Sequence, residues 1–307
     1  MTYGSFLAPL EWREDFLKNS KIGLLYILPW LAGIFFLTVY PFAHALIIGF
    51  TDYNLVRDPH FIGLGNYLKL FRDREFIGTL VATLQYTVIT VPLQLVFALF
   101  IAFILNFKLR AINFYRTAYY VPSLLGGNVA VAVLWRFLFQ QDGFINRFIG
   151  IFGIAPVSWL SSTGGAITVI ILLKVWQFGS AMLIFLAALK DVPQDLYEAA
   201  ICDGAGKVRS FFWITIPLIT PAIFFNLVMQ LVNAFQEFNG PYLVTGKGPL
   251  NATYLTSMFV YDNAFKFFNM GYASAASWVL FVIIVGVTVA LFTTQDKWVF
   301  YSDEGGR

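Results

Sequence analysis

The sequence predicts an all-α integral membrane protein of six transmembrane helices, with both termini in the cytoplasm. Three observations predict it. Of 307 residues, 59% are hydrophobic and only 12% are charged, about half the charge of a soluble domain. Six apolar stretches reach the roughly 20 residues needed to cross a bilayer. Lys and Arg fall unevenly between the two sets of loops.

The apolar runs cover about 22–50, 79–106, 121–140, 165–189, 218–239 and 272–294. Pro29, Pro41, Pro92 and Pro221 lie in them, which membrane helices tolerate where neighbours or water satisfy the freed backbone groups. The first run is long and has no small-residue cleavage pattern, so it reads as a membrane helix, not a signal peptide. With the N-terminus inside, 11 Lys and Arg lie in cytoplasmic segments and 7 outside, while Arg136 and Lys174 fall within spans. The chain divides into an N-terminal tail (1–21), a six-helix membrane domain (22–294) and a C-terminal tail (295–307). The net charge of +3 gives no reason to expect nucleic acid.

Several chemistries are excluded. A single cysteine, Cys202, allows no intrachain disulfide, and His44 and His60 stand apart from any ligand cluster, so no metal site is expected. GLGNYL at 63–68 lacks the third glycine of a dinucleotide loop and follows no strand. GAGK at 204–207 ends like a phosphate loop, but Ile201 replaces its first glycine and Val208 its Ser or Thr. Any ATP that drives this chain is therefore hydrolysed on another polypeptide. No catalytic residue and no bound cofactor are expected.

The loop between runs four and five, 190–217, is long for a connection between helices. Pro193 stops the fourth run. Asp195 and Glu198, three apart, fit a capping box. A short helix should follow, ended by Gly204 and Gly206, and a second should run from Lys207 to Ile216. Tyr197, Ala199, Ala200 and Ile201 offer an apolar knob for a cytoplasmic partner.

EAAICDGAGKVRSFFWITIPLITPAI resembles the EAA loop of binding-protein-dependent ABC import permeases. Glu198, Ala199, Ala200, Asp203, Gly204, Ala205 and Pro217 stand at the pattern's positions. FIGLGNYLKLF, FYRTAYYVP, GYASAASWVLF and KWVFY are similar to the maltose-type carbohydrate branch. The resemblance implies a coupling helix docked on an ATPase subunit through these residues and Tyr197. It further implies a second permease subunit, two ATPase subunits holding ATP and Mg, an extracytoplasmic solute-binding protein, and residence in a prokaryotic cell membrane. The solute expected is a carbohydrate. A permease for another solute such as glycerol phosphate, and a secondary transporter, remain open.

Polar stripes in the spans are candidates for the solute path. Asn226, Gln230, Asn233 and Glu237 recur at helical spacing in run five, as do Thr83, Thr87, Thr90 and Gln94 in run two. Trp176 and Gln177 lie in run four. Amides, carboxylates and aromatic rings suit sugars, and the resemblance implies sugar contacts near Trp176–Ala181 and Gln230–Glu237. Equally, such groups can bind helix to helix. Lys174, at mid-span, calls for a carboxylate or water partner; Glu237 lies at similar depth, or pairs with a cation of a neighbouring subunit.

Overall fold

The computed structural model describes residues 20–107 and 110–300. Lys108, most of the predicted N-terminal tail and the end of the C-terminal tail lie outside the described residues. Among those described there are helices and no strands. Three helices are long and apolar enough to span a bilayer by themselves, and up to six spans result if each of three bent helix pairs counts as one.

The first run forms α1 (Ser20–Ile34), a π turn (Phe35–Val39) and α2 (Tyr40–Gly49). Phe42, in α2, packs on Trp278 (4.5 Å) and Phe281 (5.2 Å), and the end of the run is tied by hydrogen bonds. Asn66, from the short α3 (Gly65–Leu70), donates from Nδ2 to the carbonyls of Gly49 (2.9 Å) and Thr51 (2.8 Å). These acceptors are orphaned where the helix stops. A Cβ on Gly271 would meet the Thr51 carbonyl at 2.1 Å, so glycine is required where the last helix crosses the first.

The second run becomes one helix, α4 (Arg74–Leu105), starting earlier than its apolar residues because Asp73 caps it at the Glu75 N–H (2.8 Å). Tyr272 donates to the same carboxylate (2.7 Å).

The third run is not one helix. It splits into α5 (Ile112–Leu125) and α6 (Val129–Leu138), bent by 100° at Gly126–Gly127–Asn128. Asn128 caps α6 by accepting from the Ala130 N–H (2.8 Å). The following loop carries α7 (Phe144–Gly150) and is organised by buried Asn146, which bonds Gln141, Val157 and Trp159.

The fourth run is α8 (Thr163–Trp176) and α9 (Gly179–Asp191), bent by 45°. After α10 (Gln194–Cys202) come α11 (Lys207–Ser210), a π turn (Phe211–Thr215) and α12 (Ile216–Leu218). The fifth span is α13 (Thr220–Phe235), at 65° to the segment before it. Pro221 has no N–H for the Pro217 carbonyl, and the Thr220 hydroxyl donates there instead (2.7 Å). The loop after α13 holds α14 (Thr256–Tyr261), and the last α-helix is α15 (Met270–Thr294). The core lies where α4, α9 and α13 meet, around Tyr86, Ala98, Ala181, Met182 and Phe185.

The loop between α13 and α15 is fastened by buried Asp262, with the ammonium groups of Lys266 at 2.7 Å and Lys247 at 3.0 Å and the Tyr254 hydroxyl at 3.0 Å. Burial pushes the Asp262 carboxyl up, but the bonds from Lys266, Lys247 and Tyr254 prevail and hold it below the ordinary carboxylate range. A lowered folded pKa adds stability above the unfolded value of about 3.9, lost as pH falls through the folded value. Protection of the amides of residues 246–266, their exchange relative to the intrinsic rate at each pH, should therefore stay constant from neutral pH to about 4 and fall below it, exchange quickening relative to that intrinsic rate. Asp262→Asn should show the quickened exchange at neutral pH. Equal protection in both proteins at neutral pH would refute this fastening.

Candidate functional site

Two places in the fold carry the predicted functional residues. The first is the middle of the bundle, where the breaks in spans three and four meet. The break after Trp176 leaves the Gln177 carbonyl outside the helical ladder. Gln94 Nε2 (3.2 Å) and Ser123 Oγ (3.0 Å) donate to it. Gln177 in turn donates from Nε2 to the Gly126 carbonyl (3.2 Å). The fit is close: a Cβ on Gly126 would lie 2.2 Å from the Gln177 side chain, and one on Gly179 would lie 2.9 Å from the Tyr119 carbonyl. Irregular backbone at membrane depth needs such internal partners, or a water-filled cavity.

Lys174 and Glu237 form an ion pair of 2.7 Å beside these breaks, their side chains 15% and 14% exposed. The sequence-level expectation of a carboxylate partner for Lys174 is met within the chain, not from a neighbouring subunit. Glu237 also accepts from the Gly240 N–H (3.2 Å), and its own carbonyl accepts from Ser257 Oγ. Trp135 and Trp176 pack at 5.4 Å on the other side of Lys174's helix end.

The predicted polar face of span five does not stay together. Asn226 and Gln230 are buried, whereas Asn233 is exposed. Glu237 is not on the helix, because α13 ends at Phe235 and the chain turns at Gln236. The stripe of span two is intact: Thr83, Thr87, Thr90 and Gln94 are all buried. Thr83 bonds Thr256 (3.0 Å) and Gln94 bonds Gln177, while Asn226 Nδ2 reaches the Ala181 carbonyl (3.4 Å). Thr87 Oγ1 and Asn226 Oδ1 have no partner. In this single chain, then, Thr87, Gln94, Asn226 and Gln230 sit between helices, and Trp176, Gln177, Asn233 and Glu237 stand nearer the open side. Ser123, Gly126 and Asn128 were missed by the sequence reading; the Gly-Gly-Asn run inside an apolar stretch was the available signal.

The second place is the loop 190–217. α10 starts at Gln194 after Pro193, and no side chain caps it. The capping box expected of Asp195 and Glu198 does not form, because Asp195 already lies inside the first turn. The helix ends as predicted. Gly204 takes φ +76°, its N–H bonds the Ile201 carbonyl (3.0 Å), and the Ala205 N–H bonds that of Ala200 (2.8 Å), a Schellman ending. The predicted knob is divided. Tyr197 turns inward to Thr215 (2.7 Å between hydroxyls) and Ala200 is buried, while Glu198, Ala199, Ile201, Asp203 and Gly204 face out. Tyr197 thus pins α10 to the segment that leads into span five. Pro217 is exposed. Beneath α10 lies a cavity of about 550 Å³ lined by Pro193, Leu196, Ile219, Pro221 and Phe300.

Among the described residues no group of His, Cys, Asp and Glu is placed to hold a metal.

Known proteins resemble this chain in sequence and in fold. The chain is 45% identical over 94% of its length to a probable ABC transporter permease protein, YesP, of Bacillus subtilis (strain 168), covering 94% of that protein. It is 32% identical over 93% of its length to AmyD of Thermoanaerobacterium thermosulfurigenes, a probable starch degradation products transport system permease protein, covering 98% of it. It is 35% identical over 92% of its length to UgpA of Yersinia pestis, an sn-glycerol-3-phosphate transport system permease protein, covering 96% of it. Its fold is that of a subunit of a bacterial ABC transporter involved in the import of the acidic polysaccharide alginate, with a TM-score of 0.79 at 18% identity over 94% of this chain and 99% of that one. Residues 62–299, more than half of the chain, match one family over their whole extent: the chain belongs to the binding-protein-dependent transport system inner membrane components.

Proposed function

We propose that this chain is a transmembrane permease subunit of an ATP-driven importer, moving a carbohydrate, an oligosaccharide by preference, handed over by an extracytoplasmic solute-binding protein. It crosses a prokaryotic cytoplasmic membrane six times with both termini inside, α5 with α6 and α8 with α9 each counting as one span and α13 as the fifth. It pairs with a second permease subunit and two ATPase subunits, which hold ATP and Mg. The chain itself performs no hydrolysis.

The observation that carries this reading is the build of the loop 190–217. A short helix with Glu198, Ala199, Asp203 and Gly204 outward is fixed through Tyr197 and Thr215 to the base of span five. A push on α10 is thereby delivered to a membrane helix, the requirement for converting ATPase closure into a switch between two membrane states. Ala205 and Pro217 delimit the joint, and Ala200 seats it. The contact with an ATPase is made by the outward residues.

For the solute, the breaks at Gly126 and Gln177 lie beside Trp176 and the Lys174–Glu237 pair, a place where polar groups and aromatic rings are available together, and Asn233 is exposed on α13. Discontinuous membrane helices commonly build transport sites. Thr87, Gln94, Asn226 and Gln230 lie behind this site and line a path only when α4, α9 and α13 part. Similarity to AmyD supports a sugar; similarity to UgpA supports glycerol phosphate as the second reading. A phosphate favours an unpaired cation, and Lys174 is paired, which inclines the choice to a neutral carbohydrate.

The deciding experiment is the ATPase activity of the complex in lipid, with its binding protein, against oligosaccharides and glycerol phosphate. Stimulation by one sugar class is expected. Stimulation by glycerol phosphate alone would transfer the assignment, and co-purification with no ATPase would overturn the importer reading.

A further inference from the structure

The segment Lys207–Leu218 lies at 65° to the span it precedes. Where a spanning helix stands near the membrane normal, a segment bent so far runs closer to the membrane plane. One side of it is attached: Phe211 packs on Phe103 at 4.8 Å, and Thr215 bonds Tyr197. The other side is bare. Val208, Phe212 and Trp213 are 72%, 62% and 77% exposed. Arg209 precedes Phe212 and Trp213 by three and four residues, so these three share one side. Lys207 and Arg209 are exposed and make no ion pair among the described residues. Nearby, Trp298 packs on Phe224 in the first turn of span five, next to Lys297. Two tryptophans, each near basic residues, therefore mark one end of the same span. Trp at a membrane surface and cations beside it form the pattern of an interfacial anchor.

We infer that Lys207–Leu218 is an interfacial anchor that binds anionic phospholipid: Phe212 and Trp213 enter the acyl boundary, and Lys207 and Arg209 hold headgroup phosphates. The occupant follows from charge complementarity and from direct continuity of the segment with a membrane-spanning helix. Free aromatic surface of this size beside two unpaired cations fits neither water nor pure hydrocarbon. The anchor restrains the far end of the joint that α10 pushes, so the membrane surface becomes the support against which that joint moves. Assignment of this leaflet as the cytoplasmic one rests on the orientation proposed above; lipid binding itself does not.

The test uses the whole chain in nanodiscs of phosphatidylcholine and phosphatidylglycerol, whose two faces are alike, so the result is independent of orientation. A fluorophore is attached at Trp213→Cys in a Cys202→Ser background, and at Val208→Cys as a second site. Quenching by spin-labelled phosphatidylglycerol should exceed that by spin-labelled phosphatidylcholine, with an enrichment of about fivefold for each basic residue near the headgroups. Lys207→Gln with Arg209→Gln should bring the two lipids to equality while quenching by lipid persists. Quenching by aqueous iodide instead of lipid at both positions, or an undiminished preference for phosphatidylglycerol in the double variant, would overturn the inference.

Discussion

Glu198→Lys is expected to abolish transport-coupled ATP hydrolysis while the chain still inserts and folds. Glu198 is exposed on α10 and makes no hydrogen bond to a described residue, so its replacement should alter the chain's own stability by no more than about 0.5 kcal/mol. At a docked interface the same change sets a cation where a carboxylate was. Juxtaposing like charges across an interface costs several kcal/mol, enough to empty a complex of ordinary affinity. The measurement is solute-stimulated ATPase activity, with co-purification of the ATPase followed alongside. Gln194→Lys, at the start of the same helix, controls for added charge on the loop. Normal uptake and normal assembly in the Glu198 variant would remove Glu198 from the joint, and with it the main support for how the joint works.

Lys174→Met should produce the largest loss of stability. It leaves the Glu237 carboxylate, 14% exposed, without its cation inside the bundle. Removing one member of a buried pair costs about 3–5 kcal/mol, because the remaining charge is uncompensated. Adding Glu237→Met should recover most of that loss, since apolar replacement of both partners is often neutral. Thermal unfolding in detergent compares the three proteins. Sugar-stimulated ATPase activity then separates two roles. If the pair only holds spans four and five together, the double variant regains activity with stability; if Glu237 meets the solute, stability returns and activity does not. A single variant as stable as the parent would mean that the ion pair contributes nothing to the fold.

The loop shows how far local rules reach. Its helix, its stop at Gly204 and its resumption at Lys207 were legible, because a left-handed turn needs glycine whatever surrounds it. The capping box was not, because Pro193 starts the helix early enough to place Asp195 within the first turn. The division of the knob was hidden too: Tyr197 turns inward for the Thr215 hydroxyl, 18 residues away.

In the spans the limit is of another kind. A hydropathy window averages over about 20 residues and registers apolar length, so it returns one helix wherever a run is long enough. It cannot see that the run at 121–140 bends by 100° or that Lys174 finds Glu237. Nor can helical spacing show that α13 ends before Glu237, or that Asn226 and Gln230 point inward while Asn233 does not.

The sequence by itself determined the membrane class, the number of apolar runs, the glycine-ended helix in the loop and the family resemblance. The first three follow from composition and from spacing within one helix or turn, and the resemblance from contiguous motifs such as EAAICDGAGKVRSFFWITIP. Tertiary structure alone decided where the spans break, which polar groups satisfy the broken backbone, and which side chains remain facing outward. The reason is that a carbonyl such as that of Gln177 must find a donor inside a bilayer, and its donors, Gln94 and Ser123, come from two other helices.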